Sequence, residues 1–246
     1  GNVYVSDEWL NRIAMFSSDG EWLGAWGTQG DADGEVDQPA GIAFDSEDNL
    51  YVVDTGNNRI QKFTKDGQFL AKWGQQGSGD GEFDMPWGIG LDADNNVYIA
   101  DWRNDRIQKF APDGSFLMAF GESGSEDGQF NRPADVAVDK EGLIYVADWR
   151  NDRVQVFDAE GRFITEIIGD ATLSKWGITK LDANPDMKMQ RDIAQGLERE
   201  KFLRGPMGVV VDDQDQVFIV DSQRNRIQIY RKIPPFFVGL YDGGRL

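Results

Sequence analysis

Short apolar runs separated by turn residues recur along the chain. Within residues 86–121, one apolar run covers Gly88–Leu91 and a second covers Val97–Ala100, with an Asn-Asn pair between them. The segments RIQKF and SFLMAFG follow, and an Asp-Gly pair typical of a hairpin turn separates them. The pattern predicts four short antiparallel strands in each unit.

The third strand of this unit is predicted from its position rather than from its polarity. If RIQKF is extended, Ile107 and Lys109 point to one face, and Gln108 and Phe110 point to the other. Each face then carries one apolar and one polar residue, which is not the alternation of a half-buried strand.

The same unit recurs with a fixed period. Related segments begin at Asp7, Asp54, Asp101, Asp148 and Asp221, so the first four starts are 47 residues apart and the last follows after 73. A period of this size with strand-like units indicates a repeat architecture. Four antiparallel strands per repeat form one β-propeller blade. Large aromatic residues close three of the outer strands (Trp26, Trp73 and Phe120), where we expect them to fill the wedge between blades.

The repeats resemble the NHL-repeat family of β-propellers. The shared features are a strand–Asp–x4–Arg-Ile/Val-Gln segment, the Asp-Gly hairpin, and a Gly-rich connector ending in Pro, such as GQQGSGDGEFDMP. The first copy has Ala14 where the others have Gln. The resemblance covers nearly the whole chain except about 170–205, and it implies an all-β propeller. The family includes scaffolds, RNA binders, lyases and sensor domains of kinases, so it implies less about function.

The chain is predicted to be one propeller domain, 1–246, with about five blades, whereas propellers of this family usually have six. The first blade starts in its second strand, and the other blades span 39–74, 86–121, 133–169 and 206–242. A propeller closes to remove its sheet edges. Further sequence upstream of Gly1, closure with five blades, or completion between two chains would each achieve this. We favour a six-bladed propeller with its remaining part upstream.

Residues 170–205 interrupt the repeat and predict a helical insertion between the fourth and fifth repeats. Asn184 suits the N-cap, Pro185 the first helical position, and Asp186 the positive end of the helix dipole. The expected apolar face consists of Met187, Ile193, Leu197 and Phe202. The insertion would serve as a lid, as the cover of an exposed edge, or as a partner-binding element.

The composition excludes several kinds of site. The 246 residues contain no His and no Cys, so a Ser-His-Asp triad, a histidine-ligated zinc site and disulfides cannot be built from them. The net charge of −18 opposes binding to nucleic acids and anionic membranes. The sequence shows no signal peptide and no membrane-spanning run. We therefore expect a soluble protein, and a cytoplasmic or an extracytoplasmic location is equally compatible with the sequence.

Each repeat carries an Asp and an Arg that flank one tight loop. A cross-strand ion pair at this point would hold the loop, and its presence in every copy favours a structural role over a catalytic one. The pairs are Asp7 with Arg12, Asp54 with Arg59, Asp101 with Arg106, Asp148 with Arg153, and Asp221 with Arg226.

Departures from the repeat indicate where a binding site would lie. Two neighbouring loops carry Trp followed by Arg, and exposed Trp and Arg are favoured at binding hot spots. The alternative is that the Trp rings pack on adjacent loops and stiffen the rim. The candidate residues are Trp87, Trp102, Arg103, Arg132, Trp149, Arg150 and Trp176, together with Asp135, which replaces a repeated Gly near the channel mouth.

No cofactor is predicted. The acidic connectors raise the possibility of calcium, but they lack the spacing of an EF-hand loop and the RTX nonapeptide. The sequence favours a non-catalytic scaffold whose loop face binds a protein segment or a small ligand. The alternative is a metal-dependent propeller lyase, lactonase or hydrolase with an acidic site in the channel.

Overall fold

The computed structural model describes residues 1–171 and 175–232. The chain folds into five antiparallel sheets arranged as propeller blades, which confirms the predicted all-β propeller. The three central sheets have four strands each, and the first and last have three within the described residues. The fourth strand expected in the fifth blade falls in 233–246, outside the described residues.

Each sheet is a meander whose strands follow one another in sequence. The first sheet contains β1 (Val3–Asp7), β2 (Arg12–Phe16) and β3 (Trp22–Trp26). The second contains β4 (Pro39–Phe44), β5 (Asn49–Asp54), β6 (Arg59–Thr64) and β7 (Phe69–Trp73). The third contains β8 (Pro86–Leu91), β9 (Val97–Asp101), β10 (Arg106–Phe110) and β11 (Phe116–Phe120).

The last two sheets follow the same order. The fourth contains β12 (Pro133–Val138), β13 (Ile144–Asp148), β14 (Arg153–Phe157) and β15 (Phe163–Ile167). The fifth contains β16 (Pro206–Val211), β17 (Gln216–Asp221) and β18 (Arg226–Arg231). The first strands of successive sheets, β4, β8, β12 and β16, contact one another in that order and line the centre of the propeller.

The middle strands of the second, third and fourth blades are buried on both faces, which explains the missing alternation in RIQKF. Ile107, Gln108 and Phe110 are all buried, and Lys109 lies over the ring of Tyr98 at 4.8 Å. A middle strand of a blade that packs between two neighbouring blades has no face towards solvent. Its polar residues must therefore find partners inside the blade.

The aromatic residues of the outer strands fill the wedges between blades, as the repeat predicts. Trp73 packs with Phe110 of the next blade at a centroid distance of 5.9 Å. It also lies against Gly114 of that blade, where an added Cβ would come within 2.9 Å of the indole ring. Gly67 faces Trp26 in the same way. The glycine of the hairpin therefore leaves room for the aromatic ring of the preceding blade.

The repeated aspartate sits at the centre of a hydrogen-bond network in each complete blade. The fully buried Asp101 carboxylate accepts from Arg106 Nε at 2.9 Å, Asn104 Nδ2 at 2.9 Å, Gln108 Nε2 at 3.1 Å and the backbone N–H of Asp84 at 2.9 Å. The same carboxylate therefore joins the tight loop, the third strand and the connector that enters the blade.

The arginine completes this network by holding the connector. Arg59 donates Nε to Asp54 at 2.7 Å, and its terminal nitrogens donate to the carbonyls of Asp31, Ala32 and Glu35 at 2.7–2.9 Å. The first blade departs from this arrangement. Its Arg12–Asp7 distance is 3.4 Å and both side chains are partly exposed.

The corner of each tight loop locks the connector of the next blade. Asn58 adopts a left-handed backbone conformation with φ 53°, which Asn and Asp tolerate better than most residues. Its Oδ1 accepts from the backbone N–H of Met85 at 2.7 Å. In the same way, Asp105 Oδ1 accepts from the backbone N–H of Arg132, and Asp152 Oδ1 accepts from that of Gly205, each at 2.7 Å. Adjacent blades are therefore fastened together on the loop face.

The insertion contains two helices, α1 (Lys175–Asp182) and α2 (Pro185–Ile193), followed by a 3-10 turn at Leu197–Glu200. Asn184 caps α2 by accepting from the backbone N–H of Met187 at 3.3 Å. Met187 is 42% exposed and Ile193 is 73% exposed. These two residues of the expected apolar face therefore do not cover a sheet edge.

We predict that Asp101→Ala destabilises the fold by about 3–5 kcal/mol, because it leaves the Arg106 guanidinium without its buried counter-ion. Burial raises the pKa of Asp101, and the hydrogen bond from Asn104 offsets part of that effect. Urea unfolding measures the change. Asp94→Ala, on an exposed turn of the same blade, should cost less than about 0.5 kcal/mol. Equal losses in the two variants would contradict the central role of Asp101.

Candidate functional site

The loop face brings three tryptophans together at the mouth of the central channel. Trp87 lies in β8, one residue after the proline that starts this inner strand. Trp102 and Trp149 each follow the repeated aspartate at the end of a second strand. Residues from two different points of the repeat therefore converge, because the inner strands begin and the tight loops lie on the same face.

The three rings form a ladder across two neighbouring blades. The centroids of Trp87 and Trp102 are 6.1 Å apart with an interplanar angle of 40°. Those of Trp102 and Trp149 are 6.0 Å apart at 36°. These distances lie within the range of favourable aromatic contacts. Each ring is half-buried, so part of its surface remains accessible to a ligand.

An apolar recess lies beside this ladder. Its volume is about 100 Å³, and it is lined by Trp87, Trp102, Ala134, Trp149 and Met207. Met207 is 40% exposed, and it occupies in the fifth blade the position that Trp87 has in the third. We refer to these five residues as the tryptophan recess.

Arginine side chains border the tryptophan recess. The Arg132 guanidinium lies 4.9 Å from the Trp102 ring centroid, and Arg150 lies 5.2 Å from that of Trp149. Arg103 lies 6.0 Å from the Trp102 ring and 3.7 Å from the Asp84 carboxylate. Arg103 and Arg150 are exposed, so their donors face solvent.

The structure therefore brings together Trp87, Trp102, Trp149 and the three arginines. The rings contact one another and border an accessible recess, and ligand binding by these residues stays a prediction. Trp176 belongs to α1, and its side chain lies outside the described residues. Ala134 and Met207 were not among the residues predicted from the sequence. Their position directly after the proline of an inner strand, equivalent to Trp87, was the available signal.

Asp135 lies one residue beyond the recess, between two inner strands. Its Oδ2 accepts from the backbone N–H of Val209 in β16 at 3.0 Å, and its Oδ1 accepts from that of Val136 at 2.9 Å. A Cβ added at Gly88 would come within 2.5 Å of Oδ1. The glycine at this position in the third blade therefore leaves space for the carboxylate.

Burial raises the pKa of Asp135 to about 7, while the two backbone hydrogen bonds from Val209 and Val136 act in the opposite direction. Hydrogen bonds from neutral donors offset only part of the cost of placing a charge in a site with little water. The carboxyl group therefore titrates near neutral pH and can hold or release a proton there.

A glutamate in each of two acidic connectors binds a backbone N–H of its own loop. Glu35 accepts from the backbone N–H of Ala32 at 3.1 Å, and Glu82 accepts from that of Gly79 at 2.9 Å. Across the residues that the structure describes, no group of three or more acidic side chains is arranged to hold a metal ion. Calcium binding and the absence of a cofactor both stay untested predictions.

The NHL repeat profile matches four segments of the chain, at residues 37–63, 83–110, 130–157 and 203–230. Each segment ends in the third strand of a blade, so the matches follow the structural repeat. The chain carries NHL repeats. Comparison with curated proteins gives no match. Within the described part of this NHL-repeat propeller, no helix is long and apolar enough to cross a bilayer.

Solved structures of propellers share the fold at low sequence identity. Virginiamycin B lyase from Staphylococcus aureus is 14% identical with a TM-score of 0.58, and the match covers 96% of this chain and 68% of that one. A propeller in a nidogen/laminin complex is 18% identical with a TM-score of 0.64, and the match covers 94% of this chain and 71% of that one. The chain spans about two thirds of the length of the lyase structures.

We predict that Asp135 makes the folded state less stable as the pH rises from about 4 to about 7. Its folded-state pKa of about 7 exceeds the ordinary 3.8, so in this interval the folded state binds more protons than the unfolded state. The contribution is present below about pH 4 and is lost as the pH passes through 7.

Urea unfolding between pH 4 and 8 tests this effect in the wild type and in Asp135→Asn. The wild type should lose up to about 4 kcal/mol more than the variant across the interval, because each unit of difference in pKa corresponds to about 1.4 kcal/mol. Any effect of the substitution on the free energy of unfolding that does not depend on pH cancels, because the comparison uses only the change of that free energy with pH. Parallel curves for the two proteins would show that Asp135 titrates normally.

Proposed function

We propose that this NHL-repeat propeller is a binding protein whose loop face takes a protein segment, with one anchor side chain in the tryptophan recess. The observation that carries the proposal is the recess itself, where Trp87, Trp102 and Trp149 meet Met207 at the channel mouth. Binding hot spots are enriched in Trp and Arg and lie in pockets that exclude water.

The size of the recess favours an anchor side chain over a whole small ligand. Pockets for small molecules usually span about 300–1,000 Å³. The recess holds about 100 Å³, which suits one aliphatic or small cyclic side chain. A small ligand would need to extend over the rim and use the same recess for an apolar group.

The arginines on the rim supply polar contacts to the rest of the segment. Arg150 makes no ion pair within the described residues and is exposed beside Trp149. Backbone carbonyls or acidic side chains of a bound segment would accept hydrogen bonds from the exposed Arg103 and Arg150 guanidinium groups.

The loops are held before any ligand arrives. The corner residue Asp105 binds the N–H of Arg132, and the carboxylates of Asp101 and Asp148 fix the connectors beneath Trp102 and Trp149. A preorganised surface loses little conformational entropy on binding. The propeller neighbour from a protein complex supports protein binding as a use of this fold.

A metal-dependent lyase or hydrolase is the second candidate, favoured by the Asp135 carboxyl in the channel and by the lyase neighbours. A histidine-to-alanine variant of that lyase is described as catalytically inactive, and this sequence contains no histidine. Calorimetry with Mg²⁺ and Ca²⁺ tests this candidate. Binding that Asp135→Asn abolishes would support it, and no heat of binding would exclude a metal site at Asp135.

The binding proposal is tested by selecting peptides from a random library against the immobilised protein and measuring their affinities by fluorescence polarisation. Trp102→Ala and Trp149→Ala should each weaken the selected peptides by roughly 30-fold, equivalent to about 2 kcal/mol. Truncating either ring removes one wall of the recess.

Trp9→Ala is the matched control. Trp9 is 87% exposed on the corresponding loop of the first blade, outside the recess, so its removal should leave the affinity unchanged. If the peptides bind all three variants as tightly as the wild type, the binding surface lies elsewhere. An equal loss in all three would indicate non-specific adhesion to exposed tryptophan.

A further inference from the structure

A second pocket lies on the loop face between the end of the insertion and the fifth blade. Its volume is about 440 Å³, within the range usual for small-molecule sites. Its lining differs from that of the tryptophan recess and consists of Asp152, Ile168, Arg199, Phe202, Leu203, Arg204 and Arg224.

The pocket is positively charged in a strongly acidic protein. Three arginines face one aspartate there, whereas the whole chain carries a net charge of −18. None of Arg199, Arg204 and Arg224 forms an ion pair with any residue that the structure describes. The nearby Arg191 and Arg226 do form ion pairs, with Glu200 and Asp221. Three guanidinium groups without counter-ions converge on one pocket.

The side chain of Arg224 is held by a hydrogen bond, whereas that of Arg204 can move. Arg224 donates Nη2 to the carbonyl oxygen of Arg199, while its Nε is buried and has no hydrogen-bond partner. The backbone N–H of Arg204 donates to the Asp221 carboxylate at 2.7 Å. Its exposed side chain makes no hydrogen bond within the described residues, so it can turn towards a ligand.

The remaining walls are apolar. Leu203 is buried, while Ile168 and Phe202 are 45% and 43% exposed. We propose that this pocket binds a small organic anion, with its carboxylate or phosphate on the arginines and its apolar body against Ile168 and Phe202. Guanidinium groups suit both anions because their paired N–H donors match two oxygens at once.

Asp152 limits the positive charge of the pocket and offers a variant that should bind more tightly. Its Oδ1 accepts from the backbone N–H of Gly205 at 2.7 Å, and its φ is 56°. Asn58 and Asn225 occupy the equivalent corners with nearly the same φ. Asp152→Asn therefore keeps the local fold and removes one negative charge from the pocket.

The test uses phenyl phosphate and benzoate as probes, with benzyl alcohol as the uncharged control, in ligand-observed NMR or calorimetry at low ionic strength. Both anions should bind saturably and benzyl alcohol should not. Stronger binding of phenyl phosphate would indicate a phosphate ligand, and stronger binding of benzoate a carboxylate ligand. Absence of saturable binding by either anion would overturn the proposal, as would equal binding of benzyl alcohol.

Three variants locate the site. Arg204→Gln should weaken the preferred anion by about tenfold, as expected for loss of a charge-assisted hydrogen bond. Asp152→Asn should strengthen it by at least about threefold through removal of a like charge. Arg162→Gln, on the exposed hairpin between β14 and β15, makes the same charge change elsewhere and should have no effect. Equal affinities in Arg204→Gln and Arg162→Gln would place the anion outside this pocket.

Discussion

The buried carboxylate of the repeated aspartate is the interaction on which the rest of the propeller depends. Asp54, Asp101, Asp148 and Asp221 are fully buried, and each accepts hydrogen bonds from an arginine, a glutamine and a connector N–H. One group therefore fixes the second strand, the third strand and the entry to the blade. Such a buried network contributes specificity of structure because a partly satisfied version would be strongly unfavourable.

This constraint separates the repeated positions from those that are free to vary. Connectors and tight loops cross the loop face in fixed positions, because both are bound to the same carboxylate. The residue after that aspartate is not needed by the network, so it differs between blades as Thr55, Trp102, Trp149 and Ser222. The tryptophan recess forms where two neighbouring blades place an aromatic ring at this variable position.

The loop face combines surfaces of different chemistry. The tryptophan recess is apolar and small, with exposed Arg103 and Arg150 at its rim. The pocket between the end of the insertion and the fifth blade is larger and cationic. The insertion supplies that cationic character, because it replaces an acidic connector with a segment that carries Arg199 and Arg204. The departure from the 47-residue period thus creates a site that the regular blades lack.

The period and the hairpin glycines were enough to predict the propeller and its strands, because each repeat has one way to bury its apolar faces. The sequence could place Trp87, Trp102 and Trp149 on the same face of the propeller, but it could not show that their rings contact one another. Met207 could have been found from its position after the inner-strand proline, equivalent to that of Trp87. The pocket lined by Arg199, Arg204 and Arg224 could not be predicted, because it depends on distances between blades that sequence spacing does not contain. The apolar face predicted for α2 was misleading, since Met187 and Ile193 are exposed.

The most direct measurement is the ¹⁵N-resolved spectrum of the eight tryptophan indole groups, recorded with and without a selected peptide. Binding in the tryptophan recess should shift the indole resonances of Trp87, Trp102 and Trp149, and leave those of Trp9 and Trp22 unchanged. Shifts confined to Trp9, Trp22 or the wedge tryptophans would contradict a binding site at the channel mouth.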